Sequence, residues 1–267
     1  MATTHIDRHN DRFTLHALES MAIHIRSGYL PFIYNHDPRC PPLGRVVDAK
    51  VTRLADGEYA LEGEVEMFEL GPAPPLDCSD RRMPIRDLPY NSLLPIIDRV
   101  FSGREYSEDI VELAKLLGSS PQFEGKKSLD PIAVLAIGGA FYIIGKFADS
   151  FFSRLGSNTA DALSTLLKRL VAKKHPEDQE RLLRMEFAFQ HEDEQIVAEV
   201  ILSGPNEEDI DRFIETGIQQ LDQILPRYLG LTEGLVRYVF SYSEGKVTFT
   251  FAVRRDAIPI FPARENN

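Results

Sequence analysis

The sequence predicts an α+β protein with an N-terminal antiparallel β-rich domain carrying one helix, then apolar helices, then a domain in the order ββαββ, an antiparallel sheet with a helix covering one side. Two patterns carry that prediction. Apolar and polar residues alternate in paired stretches around turn signals at 47–67, 183–202 and 235–254, which is how half-buried hairpins read. Stretches 14–27 and 206–225 repeat their apolar residues at helical spacing instead. A third feature, the run Ile132–Gly145, is the most apolar in the chain.

With 267 residues, 43% of them hydrophobic and 27% charged, the chain has the composition of an ordinary globular protein with a real core. Its net charge of −11 argues against nucleic-acid partners, whose phosphates are held mainly by Lys and Arg. Cys40 and Cys78 are its two cysteines, and Met1–Asp7 shows no basic segment followed by an apolar one, so a cytoplasmic chain with reduced thiols is expected.

In order, the polar residues 5–12 precede Thr14, an N-cap for a helix over about 14–27 with Leu15, Leu18, Met21, Ala22 and Ile25 on one face and Gly28 as its stop. Pro31–Tyr34 reads as a strand entering a turn at His36-Asp37. After Gly44, Val47, Ala49 and Val51 share a face. Asp56-Gly57 then turns the chain into a strand with Tyr59, Leu61, Val65 and Met67 inward and Glu58, Glu62, Glu64 and Glu66 outward. Six prolines between Gly71 and Pro95 mark a crossing, and Ser107–Leu117 reads as a short helix.

Asp130 and Pro131 look like the cap and first residue of a helix running from Ile132 past Lys146 to Phe152. Its 14-residue apolar part is short of the roughly 20 residues a bilayer span needs, so a buried core helix is favoured over a membrane-inserting or self-associating one. A second helix follows at about 158–172. The domain boundaries expected from this are 1–70, 71–127, 128–174 and 180–260. In the last of these, Asn206 caps a helix with Ile210, Phe213, Ile214, Gly217, Ile218, Leu221 and Leu225 on one stripe, ended by Pro226.

His36 is the candidate catalytic residue, since an imidazole oriented by a carboxylate can take a proton near neutral pH. Asp37, its neighbour in an extended segment, points to the opposite face and is better read as turn chemistry with Pro38. Leu30–Asp37, followed by Pro42-Leu43-Gly44-Arg45-Val46 and preceded by Asp7–Arg12 and Ala17-Leu18, resembles the N-terminal part of caudovirus (HK97-type) prohead proteases over about residues 7–67. Those have an apolar strand ending in the catalytic His, then Pro-Ile-Gly and a hairpin. The resemblance implies that His36 stands at the family's histidine and that the chain is phage-related or bacterial. The family's nucleophile lies in a Ser-Ile-Gly-Phe-like strand, and this sequence has none; Ser79, Ser92 and Ser102 sit outside any such motif.

Other chemistry is thin. Cys40, Cys78, His36 and Asp77 include no Cys-x2-Cys pair, so no metal site is expected. His5 and His9 precede the first helix cap and read as solvated, and Gly138-Gly139 lacks the Lys-Ser/Thr of a phosphate loop and reads as close packing. Lys126-Lys127 and Lys173-Lys174 are short solvated pairs. No cofactor is expected. The preferred reading is a non-catalytic binding or assembly module with a degenerate peptidase-like domain, acting on a protein partner or by self-association. The alternatives are a serine peptidase using His36 and a membrane-active effector inserting residues 132–152.

Overall fold

The computed structural model describes residues 2–6, 12–69, 73–77, 79–90, 92–98, 104–124, 132–142, 144–155, 157–173, 180–191 and 194–262. Asp7–Asp11, Cys78, Ser102, Lys126, Lys127, Asp130, Pro131 and Lys174 therefore lie outside the described residues. The fold class is α+β, and the chain forms two units, one of Met1–Pro84 with Val253–Ile260 and one chiefly of Ile85–Lys126 and Asp130–Ala252. The first boundary falls inside the proline-rich stretch.

In the first unit a four-stranded sheet has the order β1-β4-β3-β2, with β1 at Ala2–Thr3, β2 at Leu30–Phe32, β3 at Gly44–Arg53 and β4 at Tyr59–Met67. Helix α1 (Leu15–Ser27) starts where Thr14 accepts a hydrogen bond from the Ala17 amide at 3.1 Å. Its buried Leu18 and Ala22 pack on Ala49 and Leu61. Gly28 ends the helix in an extended rather than left-handed conformation. Glycine is needed there because a Cβ would lie 2.7 Å from the Arg82 carbonyl oxygen.

The β3–β4 hairpin turns at Asp56-Gly57 as its sequence predicts, with Gly57 at φ 92°. A bulge between Val46 and Asp48 changes the expected faces. Val46, not Val47, lies on the side of Ala49, within reach of a Cβ built at Gly63.

In the second unit the sheet includes the run β11-β10-β9-β8-β7-β5-β6, with β5 at Leu94–Asp98, β6 at Gln122–Glu124, β7 at Ile132–Phe141, β8 at Glu180–His191, β9 at Glu194–Ser203, β10 at Leu235–Ser243 and β11 at Lys246–Arg254. The expected helix from Ile132 to Phe152 is not formed. Residues 132–141 are a strand, and helix α3 occupies only Phe147–Leu155. The cause is position: β7 pairs parallel with β8 and antiparallel with β5, and Val134–Phe141 are buried throughout, so neither face imposes a polar alternation. The Gly138-Gly139 pair still serves close packing, with a Cβ 2.7 Å from Leu88 at the first and 2.6 Å from Leu93 at the second. No helix among the described residues is long and apolar enough to cross a membrane.

Three further helical segments, α2 (Arg104–Leu117), α4 (Ser157–Ala172) and the chain from α5 (Glu207–Arg212) to α6 (Ile218–Ile224), complete this unit. Asn206 and Asp209 close a reciprocal capping box at α5. Between α5 and α6 the helix widens by one π turn at Phe213–Gly217, where a Cβ on Gly217 would overlap the Phe213 ring at 2.2 Å. The order ββαββ holds, but β9 and β10 pair in parallel, because the intervening helix carries the chain back to the end from which β9 began. Phe141, Phe147, Phe151, Phe187 and Phe189 meet as a buried cluster between β7, β8 and α3, with centroids 4.9 to 6.4 Å apart.

Candidate functional site

Strand β2 runs directly into the turn holding His36. Asn35 and His36 sit consecutively in the left-handed region, at φ 49° and 51°, and Asp37 closes the turn through its amide to the Tyr34 carbonyl. Backbone strain of this kind is common at active sites and is a reason to inspect the turn. The His36 ring is exposed, and among the described residues it makes no hydrogen bond or ion pair. Asp37 does not orient it. Its buried carboxylate holds Arg39 in a fork, Nε to Oδ1 at 2.9 Å and Nη2 to Oδ2 at 2.8 Å, and accepts the Arg39 amide at 3.0 Å. Cys40 shares this corner, where burial and then the negative charge of Asp37 push its thiol pKa up, opposite to a reactive thiolate.

No described serine hydroxyl is bonded to the His36 ring. Ser79 instead lies 3.5 Å from the Tyr29 hydroxyl, in a cluster that fastens the loop before Pro84 to the first sheet. The guanidiniums of Arg45 and Arg81 both lie over the Tyr29 ring, at 4.2 and 4.3 Å from its centroid. Its hydroxyl donates to Asp77; that bond, with the Ser79 amide and Arg45, holds the Asp77 carboxyl below the usual range although burial opposes it. Arg81 donates to the carbonyls of Gly28 and Val47, both at 2.8 Å. Asp256 accepts the Asp77 amide and pairs with buried Arg254, whose other donors reach the carbonyls of Pro74 and Pro75. Every partner in this cluster is internal, so it reads as a structural latch.

Two clusters in the second unit also have the residue types of a site. Ser164 and Lys168, one turn apart on α4, resemble a nucleophile and its base, yet both donate to Asp211, and those bonds hold its carboxyl below the usual range. On the β8–β10 face turned away from the phenylalanine cluster, Glu199 pairs with Arg237 through two bonds of 2.8 and 2.9 Å, and Glu186 with Arg184 and Arg86 at 2.6 and 3.5 Å. Burial pushes the Glu199 carboxyl up, but Arg237, Arg184 and Arg86 outweigh it and hold it below the usual carboxylate range. His5, read above as solvated, bonds to Asp56 at 2.8 Å. No group of three or more His, Cys, Asp or Glu side chains gathers among the described residues.

The feature that stands out chemically is apolar. Pairing places Leu30, Val46 and Val65 in one row and Phe32, Gly44 and Met67 in the next, on the face of the first sheet that carries Ala49 and Leu61. Helix α1 covers the Ala49–Leu61 half. The other half is open, with Leu30 40%, Phe32 41%, Val65 38% and Met67 56% exposed, and Tyr34 and Leu43 on the β2–β3 connection at 62% and 42%. Sequence alternation marked Val65 and Met67 as inward-facing. Length shows why they are not covered: a 13-residue helix spans about 20 Å, whereas the 10-residue strand β3 spans about 33 Å.

Comparison of the chain with protein-family models, with curated proteins and with solved structures finds no match.

Proposed function

We propose that this chain is a non-catalytic protein-binding or assembly module, cytoplasmic and phage-related, whose N-terminal unit keeps the outline of a prohead-protease-like domain without its chemistry. The observation that carries this reading is the open apolar half-face at Leu30 and Phe32 of β2, the strand that leads to the turn at His36, and Val65 and Met67 of β4. An apolar surface of this kind, rimmed by polar residues, marks a site of association. The state of His36 agrees with it. A general base needs a nucleophile within hydrogen-bond reach and a group to orient it, and among the described residues the ring has neither while Asp37 is committed to Arg39.

The test is treatment with a serine-reactive fluorophosphonate, with His36→Ala alongside. The expected outcome is no labelling of either protein. Labelling of the unmodified chain that disappears in His36→Ala would overturn the reading and install a serine peptidase in its place.

A further inference from the structure

We infer that the occupant of the open face is a second copy of this chain, docked about a two-fold axis so that each copy's Leu30, Phe32, Val65 and Met67 cover the other's. The inference rests on the binding-module reading and names its partner.

Two observations point to self-docking. The first is area. With side chains of roughly 150–250 Å² each, the exposed fractions of Leu30, Phe32, Tyr34, Leu43, Val65 and Met67 together amount to about 500 Å². A standard dimer interface buries about 800 Å² per copy, of which about 65% is apolar, again about 500 Å². The second is charge. The two rows Leu30–Val46–Val65 and Phe32–Gly44–Met67 contain no ionisable side chain. The acids of β4, Glu62, Glu64 and Glu66, alternate onto the opposite face, where Lys50 and Arg45 pair with Glu62 and Glu66. A basic partner would be drawn to that acidic face and not to the apolar one. Two copies of a chain of net charge −11 that meet through the uncharged face hold their acidic hairpin faces outward and apart.

Backbone pairing across the β2 edge is not the mode, because Pro31 sits in the middle of that short strand and offers no N–H. Contact is through side chains of the face, as in a two-fold isologous interface.

The experiment is sedimentation equilibrium of the full chain over a range of micromolar concentrations, with Met67→Lys and Val65→Lys compared by circular dichroism to confirm folding. Both positions are exposed, so the substitutions leave the core untouched. The expected result is a monomer–dimer equilibrium weakened about tenfold or more by either lysine, with unchanged spectra. A monomer at every concentration, or a dimer indifferent to both lysines, overturns the inference. A photo-crosslinking side chain at position 67 separates the two proposals. Crosslinks between copies in the pure protein support self-docking. Crosslinks in cells only to a different protein overturn self-docking and keep the binding-module reading, and no crosslink in either setting overturns both.

Discussion

Replacing Glu199 by glutamine should destabilise the second unit more than any surface change could. Glu199 is 7% exposed and sits on β9, between β8 and β10 in the sheet. Arg237 grips both of its oxygens, at 2.8 and 2.9 Å, with Arg184 and Arg86 adding their charge. Glutamine keeps the size and loses the charge, so Arg237 loses its ionic partner in a desolvated place. Removing one member of a buried pair costs about 3–5 kcal/mol, which for a unit of this size is a fall in Tm on the order of 10 °C. The pH dependence has a definite sign. The folded carboxyl holds its proton less tightly than an unfolded one, so its contribution is present above the ordinary carboxylate pKa of about 4.3 and is lost as pH falls through the lower folded value. The variant should therefore show a shallower acid limb. Because the chain has two units, hydrogen exchange by mass spectrometry on peptides covering β8–β10 is the better assay, with thermal unfolding beside it. A loss under about 1 kcal/mol with an unchanged acid limb would show that the ion pairs on this face are not what holds β9 and β10 together. Replacing Glu199 and Arg237 together by leucine should recover much of the loss, since a buried ion pair often does no better than an apolar pair of similar volume.

Three further outcomes follow from the same geometry. Gly28→Val forces a Cβ to within 2.7 Å of the Arg82 carbonyl and should cost about 1–3 kcal/mol, read as faster exchange in residues 79–84; unchanged exchange there would mean that the contact is easily relieved. His36→Gly should be neutral or stabilising by up to about 1 kcal/mol, because it relieves a left-handed histidine at φ 51°, and a marked drop in Tm would reveal a partner for the ring. Phe151→Ala, which removes a fully buried member of the phenylalanine cluster, should cost about 3–5 kcal/mol in urea unfolding, and a small effect would mean that α3 does not hold the sheet as described.

Local chemistry was legible wherever capping, turn-forming or charged residues punctuate an element. Thr14 and Asn206 announced their caps, Asp56-Gly57 its turn, and the alternations at 183–202 and 235–254 their strands, since each pattern is written by neighbours in sequence; β8 and β9 showed it through paired Arg and Glu although both their faces are covered. Reading failed where both faces are apolar. Ile132–Phe141 lies between two strands with both faces covered, so its composition carries no period, and Asp130-Pro131 supplied a misleading helix start. Leu94–Asp98 was hidden for the same reason, and Pro95 within it suggested a loop. Pro95 lies outside the stretch Ile96–Asp98 that pairs with β6, so no ladder bond to that strand needs its missing N–H.

The candidate site shows a different limit. His36 and Asp37 were visible as residue types, but their relation was set by Arg39, two residues on, which captures the carboxylate a catalytic imidazole would need. The open half-face was invisible for a geometric reason: alternation says which residues turn inward, not whether a covering element is long enough to reach them. Helix α1 ends its cover near Ala49 and Leu61, and the pattern at Val65 and Met67 continues beyond it unchanged. An apolar row that outruns its helix is therefore the place in this chain where sequence and structure together point to an unfilled contact, whereas the His-Asp pair, conspicuous in sequence, is closed by its own neighbour.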